Sequence, residues 1–170
     1  MLEQIITSKT RLRLLIKFFV SQANTGYLNG LASEMGESTN SIRKELNHLH
    51  GAGYLEKIKN ENKIEYKVNS GHPLYKTLRE VVLKHLGLID LVDTVLERMG
   101  DVDKIILVGD YARGIDSGNI EIFLTGKSLN TDYISNLEKK IKKLIGRQVS
   151  FYLTSNYKNS KYSIVLYSKD

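Results

Sequence analysis

The chain has no cysteine and only one proline among its 170 residues. Without cysteine it forms neither disulfides nor thiolate metal sites, which fits a reducing compartment. No window approaches the roughly 20 apolar residues of a membrane span, since the longest candidate, LLIKFFV, is interrupted by Lys17. The N-terminal residues also lack the layout of a secretory signal peptide. These absences predict a cytoplasmic protein that does not enter a membrane.

The composition is typical of a folded protein, with 41% hydrophobic and 26% charged residues. The net charge of +6 favours a polyanionic partner only weakly, because a modest positive charge also keeps proteins soluble. Residues 1–72 hold 10 Lys/Arg against 7 Asp/Glu, and residues 73–170 hold 15 against 12. Each half therefore carries the same excess, and bulk charge does not indicate which half meets a polyanion.

A turn-rich stretch, VNSGHP at 68–73, is the best domain boundary, because Gly71 breaks regular structure and Pro73 suits the first turn of a new helix. We predict an α+β chain of three parts. These are a winged-helix domain at 1–70, a helical linker or dimerisation segment at 71–100, and a small α/β domain at 101–170.

The first half is predicted to form three helices and a β-hairpin. Thr7 or Ser8 caps the first helix, a short second helix (YLNGLASEMG) follows a turn at 24–26, and Ser38 caps the third. The segments YLEKI and KIEYKV alternate apolar and polar residues around the turn KNEN, which is typical of a hairpin. The predicted core positions are Leu12, Leu15, Ile16, Phe19, Ile42, Leu46 and Leu49.

Three helices and a hairpin are the layout of a winged helix-turn-helix. The stretch STNSIRKELNHLHGAGYLEKI resembles the recognition helix and the start of the wing in ArsR-type repressors, and the resemblance covers about residues 8 to 69. It implies a regulator that binds double-stranded DNA. With the apolar positions facing inward, polar residues near the start of the third helix can reach base edges and phosphates. The predicted DNA-binding residues are Ser38, Thr39, Asn40, Ser41, Arg43, Lys44, Asn47, Lys57, Lys59 and Lys63, with Asn60 and Asn62 beside them on the wing.

A solvated helix face is the alternative explanation, with Arg43 and Lys44 paired to glutamates such as Glu45. The wing also carries three glutamates, so one copy would bind DNA weakly. We therefore expect a homodimer on a two-fold operator, held by the helices at 73–99. Burial within one chain would equally explain their apolar residues Leu88, Ile89, Leu91, Val92, Val95 and Leu96.

The second half is predicted to form two helices, PLYKTLREVVLKHLG and LIDLVDTVLERMG, and then a mixed sheet. Its strands are KIILV, NIEIFLTG, QVSFYLT and KYSIVLY, with the helix YISNLEKKIKKLIG before the third. The lysines of that helix, Lys139, Lys140, Lys142 and Lys143, are predicted to form a solvated face, with contact to nucleic acid or to a nucleotide phosphate as the alternative. Its predicted core positions are Ile134, Leu137, Ile141 and Leu144.

Residues 103 to 155 resemble the minimal type of nucleotidyltransferase domain, in which a strand, a Gly-Ser turn, an Ala-Arg-Gly and an Asp-x-Asp strand follow one another. Here KIILV is followed by Gly109-Asp110, Ala112-Arg113-Gly114 and Asn119-Ile120-Glu121. The resemblance implies a remnant nucleotide or metal site, whose residues would be Gly109, Asp110, Arg113, Asp116 and Glu121.

The departures from this family pattern affect its chemistry. Nucleotidyl transfer needs carboxylates that hold metal ions, yet Asn119 replaces the first of the pair and QVSFYLT supplies no third. Asp110 replaces the phosphate-binding serine, and two unit charges about 4 Å apart repel by on the order of 4 kcal/mol at an effective dielectric of about 20. We predict a degenerate domain with no catalytic residue, metal or cofactor.

Two arrangements of this stretch stay open at the level of sequence. In one, Asp110, Asp116 and Glu121 form a rearranged metal site with Arg113 facing a phosphate. In the other, Asp116 is a turn residue, Asp110 is a helix N-cap and Arg113 is a surface partner for either. The histidines at 48, 50, 72 and 85 lack the spacing of metal ligands and are expected to pack or lie on the surface.

The sequence therefore predicts a cytoplasmic DNA-binding transcriptional regulator. Its second half would be an inactive sensor or dimerisation module, and a small-molecule or nucleotide effector stays open. The alternative is an active nucleotidyltransferase that uses Mg²⁺ and a triphosphate to modify a protein or nucleic acid, with the winged helix as a targeting module. A winged-helix scaffold that binds only another protein is a third hypothesis.

Overall fold

The computed structural model describes all 170 residues and divides into two compact units, Met1–Val82 and Leu83–Asp170. The division falls inside the segment 71–100. No helix in the chain is long and apolar enough to cross a membrane.

The first unit contains a short 3-10 turn, three helices, a three-stranded sheet and most of a fourth helix. In chain order these are Leu2–Gln4, α1 (Lys9–Val20), β1 (Thr25–Tyr27), α2 (Leu28–Met35), α3 (Thr39–Gly51), β2 (Leu55–Asn60), β3 (Lys63–Val68) and α4 (Tyr75–His85), which crosses the division. The sheet is antiparallel, in the order β1-β3-β2. This order of helices and strands is that of a winged helix, with β2 and β3 as the predicted hairpin.

One element of the first unit differs from the prediction. The sequence predicts a turn at residues 24–26, yet Thr25 pairs with Lys67 and Tyr27 with Glu65 across β1 and β3. The reason is tertiary, because three residues carry no periodicity of their own and become a strand only against β3. As a result the wing has a third strand, and the start of α2 lies beside it.

Helix α1 is the central helix of the first unit. The Ser8 hydroxyl caps it by accepting a hydrogen bond from the Arg11 amide at 3.1 Å. Most of the helix is buried, and even Lys17 lies inside, paired to Glu34 at 2.7 Å. Every predicted core position of the first half is buried, the full set being Leu12, Leu15, Ile16, Phe19, Ile42, Leu46 and Leu49.

The second unit is a four-stranded mixed sheet with helices. Its elements are α5 (Leu88–Arg98), β4 (Gly100–Val108), α6 (Gly109–Ala112), β5 (Asn119–Leu129), a 3-10 turn at Thr131–Tyr133, α7 (Ile134–Ile145), β6 (Gln148–Leu153) and β7 (Ile164–Ser168). The strand order is β6-β5-β4-β7. Only β5 and β6 are parallel, and α7 connects them, as a parallel pair requires a crossover.

Helix α7 buries less than the sequence suggests. Leu137 and Ile141 are fully buried, but Ile134 is only half-buried. Leu144 is 58% exposed, so its assignment to the core was wrong. Ile145 packs instead, against Gly87, where an added Cβ would lie 2.6 Å from the Ile145 Cβ. The four lysines of α7 are exposed, as predicted.

Burial accounts for only part of the apolar surface of α5. Leu88, Leu91 and Val95 are buried, whereas Leu96 is 36% exposed. Ile89 and Val92 are half-buried. Burial within the chain therefore accounts for three of the six residues, two more are partly covered, and only Leu96 is exposed.

Candidate nucleic-acid interface

The outward face of α3 begins with two serines that hold the helix start. The Ser38 hydroxyl accepts a hydrogen bond from the Ser41 amide at 3.1 Å and donates one to the Ser41 hydroxyl at 2.9 Å. Both serines are thus engaged in capping. The remaining predicted DNA-binding residues of α3 are exposed, namely Thr39, Asn40, Arg43, Lys44 and Asn47.

Arg43 has one side-chain hydrogen bond within α3. Its guanidinium donates to the side-chain oxygen of Asn40 at 3.0 Å, which holds it along the helix surface. Arg43 and Asn47 line one cleft together with Lys57 and Lys63 of the hairpin. The fold therefore brings together four of the predicted contacts from two separate stretches of sequence.

The pairing of the hairpin separates its charges by face. Successive side chains of a strand point to opposite sides, and Lys57 lies opposite Tyr66 while Lys59 lies opposite Ile64. Glu56 pairs across the strands with Lys67, and Glu65 lies opposite Ile58. These two glutamates thus point away from the face that carries Lys57 and Lys59, whereas Lys63, opposite Asn60, lies on the same side of the hairpin as the glutamates.

Most glutamates of the first unit are engaged elsewhere. Glu34, Glu37, Glu45 and Glu56 form ion pairs with Lys17, Arg13, Arg11 and Lys67 respectively. The Glu65 carboxylate accepts a hydrogen bond from the Tyr27 hydroxyl at 3.3 Å. None of these partners is a cation of the predicted interface, so Arg43, Lys57 and Lys63 keep their positive charge available.

The expected pairing of Glu45 with Arg43 or Lys44 was wrong. Glu45 is only 6% exposed and points inward, where it accepts hydrogen bonds from Arg11 at 2.7 Å and Ser8 at 2.9 Å. Burial pushes the pKa of Glu45 upward, but these hydrogen bonds and the charge of Arg11 outweigh burial and lower it below the usual value. Glu45 is an ionised anchor between α3 and α1.

The cleft also contains residues that the sequence did not single out. It has a volume of about 580 Å³ and includes residues from the start of α2 and from β3. The missed residues are Tyr27, Leu28, Asn29, Gly30, Ile64 and Tyr66. The alternation in KIEYKV could have placed Ile64 and Tyr66 beside the lysines of the hairpin, but only the tertiary fold brings Tyr27 and its neighbours there.

Two cation–aromatic contacts involve residues of this cleft, and the strand register places them on opposite sides of the sheet. The Lys57 ammonium lies 5.8 Å from the centre of the Tyr66 ring, and the Lys63 ammonium 5.8 Å from that of Tyr27. Such contacts hold a lysine without neutralising it. Together with the Arg43 guanidinium and the Asn47 amide, the face offers the donors that recognise phosphates and the major-groove edges of bases.

The residues predicted to form a nucleotide-site remnant lie in the second unit, at the turn after β4 and along β5. Asn119 pairs with Gln148 and Glu121 with Ser150 across β5 and β6, and Glu121 also lies opposite Val108 of β4. The Ser150 hydroxyl lies 3.4 Å from the Asn119 side-chain oxygen. Gly109 has a φ of 70°, and a Cβ there would collide with the Glu121 carboxylate. Glycine is thus favoured by the backbone conformation, and a side chain at this position would also displace the end of the Glu121 side chain.

Asp116 has a structural role that sequence reasoning missed. Its carboxylate accepts two hydrogen bonds from the Arg147 guanidinium, at 2.9 and 2.7 Å, and a third from the Tyr111 hydroxyl. The Gly118 amide donates to the same hydroxyl at 3.0 Å, and Arg147 also donates to the His85 carbonyl at 3.3 Å. Asp116 and Arg147 are 31 residues apart, so no local pattern signals their pairing.

The charges of this cluster depend on one another. Burial acts to raise the pKa of Asp116, but hydrogen bonds from Arg147 and Tyr111 and the guanidinium charge lower it overall. Burial and the neighbouring carboxylate raise the pKa of Tyr111 well above its ordinary value, so the phenol stays protonated and donates. The negative charge of Asp116 and the positive charge of Arg147 therefore compensate each other within the cluster.

The alternatives for Asp110 and Arg113 need correction. Val108, not Asp110, occupies the N-cap of α6, and Asp110 lies in the first turn of that helix. Arg113 lies over the Tyr162 ring at 5.4 Å rather than beside either aspartate. No group of three or more Asp, Glu, His or Cys in the chain is placed to hold a metal ion, so Asp110, Asp116 and Glu121 do not assemble into the rearranged site.

The histidines have packing or surface contacts. His48 lies 3.3 Å from Arg11 and 3.7 Å from Glu45, and His50 lies 3.0 Å from the Leu55 carbonyl oxygen. His72 stacks on Tyr54 with ring centres 4.3 Å apart, and His85 is buried.

Comparison with known proteins yields only distant likenesses. No protein-family model matches the chain, and no curated protein matches it significantly. It is similar to the solved structure of reduced HlyU from Vibrio cholerae, with 18% identity and a TM-score of 0.39 over 49% of this chain and 82% of that one. It is also similar to the AntR antimony-specific transcriptional repressor, with 23% identity and a TM-score of 0.39 over 54% and 77%. Both TM-scores lie below 0.5, so the function has to be argued from the geometry of the chain itself.

Proposed function

We propose that the chain is a sequence-specific DNA-binding transcriptional regulator of the winged-helix type. The observation that carries this proposal is the convergence of Arg43 and Asn47 on α3 with Lys57 and Lys63 on the hairpin. Arg43, Lys57 and Lys63 have no carboxylate partner, and Glu37, Glu45 and Glu56 form ion pairs with other cations. An exposed helix with unpaired cations beside a basic hairpin has the geometry that places a helix in the major groove and a wing on the backbone.

The first test is binding of the full chain to random-sequence duplex DNA over a series of salt concentrations, followed by selection of preferred sites. Because phosphate contacts release counterions, affinity should fall steeply as salt rises. An enriched site with two-fold symmetry would support a homodimer on its operator. Absence of both salt-dependent affinity and enrichment would overturn the proposal.

Point variants separate reading of bases from attraction to phosphates. Arg43→Ala and Asn47→Ala should each cost about 1–3 kcal/mol at the preferred site and relax the preference at one position. Lys57→Ala should weaken all sequences alike and reduce the salt slope by about one. Lys140→Ala, on the exposed face of α7, is the matched control and should bind as the wild type does. Equal affinity and selectivity in all four variants would contradict the proposed readout.

For the second unit we propose a degenerate nucleotidyltransferase-like module that serves as a sensor or dimerisation element. Asp116 is engaged by Arg147 and Tyr111, and position 150, beside Glu121, is a serine rather than a third carboxylate. The partly exposed apolar residues of α5, Ile89, Val92 and Leu96, support dimerisation, which light scattering at several concentrations would test directly.

An active nucleotidyltransferase is the second candidate, favoured by the close approach of the Gly109 turn to Glu121. Incubation with labelled ATP and Mg²⁺ or Mn²⁺ would detect it. Label transfer that is lost in Glu121→Ala but kept in Glu138→Ala would establish an enzyme and displace the inactive module.

A further inference from the structure

We propose that the cleft between α3, the start of α2 and the hairpin binds a small aromatic anion, such as an aromatic carboxylate or sulfonate, and that this ligand competes with DNA. The binding site depends only on the geometry of the cleft. The competition depends on the proposed function, because it requires that DNA use the same face.

The dimensions and floor of the cleft fit an organic molecule better than a phosphate group alone. Its volume of about 580 Å³ lies within the usual range of small-molecule pockets, about 300 to 1,000 Å³. Leu28, Ile64 and Tyr66 supply apolar surface within it. A DNA backbone lying across the opening would meet the cations but would leave this apolar surface uncovered.

The charge of the cleft selects an anion. Arg43, Lys57 and Lys63 line it, and none of them has a carboxylate partner. Burial raises the pKa of the Tyr66 hydroxyl despite the opposing charge of Arg43, so the phenol stays neutral at physiological pH. The cleft therefore keeps three positive charges with no compensating negative group among its lining residues.

The aromatic residues of the cleft favour a ligand with a ring. The Tyr27 hydroxyl accepts a hydrogen bond from Asn60 at 3.1 Å and donates one to Glu65 at 3.3 Å, so this side chain is held in place before any ligand arrives. Tyr66 is 7% exposed, so it is fixed by packing and only a small part of its side chain is accessible to a ligand. Preorganised aromatic side chains bind a planar group at little cost in entropy.

The competition arises from shared residues. Arg43 and Asn47 line the cleft and are also the predicted contacts to bases. A ligand that engages them removes them from DNA, and thermodynamic linkage requires that DNA weaken the ligand by the same factor. A small anion would thereby regulate DNA binding directly at the interface.

The first experiment measures the site without DNA, using anilinonaphthalene sulfonate as the probe, since it is an aromatic anion whose fluorescence rises in apolar surroundings. The folded wild type should bind one probe per chain. Arg43→Ala and Ile64→Ser should each weaken binding about tenfold or more, and circular dichroism should show both variants folded, because both positions are exposed.

Matched controls come from α7 in the second unit. Lys140→Ala removes an exposed cation, and Leu144→Ser removes an apolar side chain that is 58% exposed, comparable to Ile64 at 47%. Both controls should bind the probe as the wild type does. Probe binding that is insensitive to Arg43→Ala and Ile64→Ser, or equally sensitive to the controls, would overturn the site.

The second experiment adds a labelled duplex. Competition would be established if the probe displaces DNA at concentrations near the dissociation constant of the probe measured in the first experiment. A complex that contains protein, DNA and probe together would overturn it. If the wild type binds the probe but no duplex, the proposed DNA-binding function fails while the ligand site stands. If duplex binds and the probe does not, the ligand site fails and the regulator stands.

Discussion

The two units use their charged residues in opposite ways. In the first, Arg43, Lys57 and Lys63 lie at the surface without carboxylate partners. In the second, the Arg147 guanidinium forms two hydrogen bonds with Asp116 inside a cluster that Tyr111 completes. Both halves of the sequence carry the same excess of positive residues. Exposed lysines without ion pairs also occur on α7, so the convergence of Arg43, Lys57 and Asn47 on one cleft, rather than the number of cations, favours the first unit as the surface for a polyanion.

The largest expected effect comes from removing the internal pairing of the second unit. Arg147→Ala leaves the Asp116 carboxylate with two hydrogen bonds fewer in a site where its side chain is 29% exposed. Removing one partner of a partly buried pair leaves the charge of the other uncompensated, so we expect a loss of about 2 kcal/mol in the free energy of unfolding. Urea denaturation followed by circular dichroism measures this loss. Arg113→Ala, whose side chain lies over Tyr162, should change stability by less than about 0.5 kcal/mol.

If Arg147→Ala were no more destabilising than Arg113→Ala, Asp116 would not need its partner. The second unit would then not depend on a paired charge, and its contrast with the unpaired cations of the first unit would be lost.

A smaller loss of stability is expected on removing Glu45, which is a buried charged residue of the first unit. Glu45→Ala removes the acceptor of hydrogen bonds from Ser8 and Arg11, and we expect a loss of about 1–2 kcal/mol. Glu56→Ala is the control, because the Glu56–Lys67 pair is exposed on both sides and such pairs contribute little. Equal stability of the two variants would show that α3 does not rely on Glu45 for its position against α1.

The pH dependence of stability distinguishes an ionised Asp116 from a neutral one. The pKa of Asp116 is lowered in the folded chain, so its stabilising contribution is complete above the unfolded value of about 3.9 and is lost as the pH falls through the folded value. Asp116→Asn should therefore cost about 1 kcal/mol or more at pH 7, and progressively less below about pH 4. Urea denaturation of both proteins from pH 7 to pH 3 measures this. Since Glu45 also has a lowered pKa, only the difference between wild type and variant isolates Asp116. A difference independent of pH would contradict an ionised, paired Asp116.

The smallest effect is expected at the open face of the first unit. Arg43→Ala and Lys57→Ala should leave the free energy of unfolding within about 0.5 kcal/mol of wild type, because neither side chain is buried or ion-paired. The measurement is again urea denaturation, on the variants that are used for DNA binding. A loss above about 1 kcal/mol in either would mean that the residue supports the fold, and its effect on DNA affinity would need reinterpretation.

The spacing of apolar residues was enough to predict α3 and the hairpin β2–β3, because side chains repeat with a fixed period in a helix and in a strand. The residue type alone predicted the N-cap at Ser38. These local signals failed where contacts are distant along the chain. The strand β1 exists only through pairing with β3, and Arg147 reaches an aspartate far back in the sequence. Ile145 rather than Leu144 is packed because Gly87 leaves room for it. The domain boundaries, the dimer and the identity of any effector stay predictions.

The spacing of apolar residues, helical or alternating, was sufficient for the helices, the hairpin and the exposed side of α3. Which charges find partners depends instead on the three-dimensional fold, since an ion pair requires two groups within a few ångströms regardless of their spacing in the chain. In the folded chain Arg43, Lys57 and Lys63 line an open cleft, whereas Asp116 forms an ion pair with Arg147. The difference between the two units is one of distance in space, which periodicity does not encode.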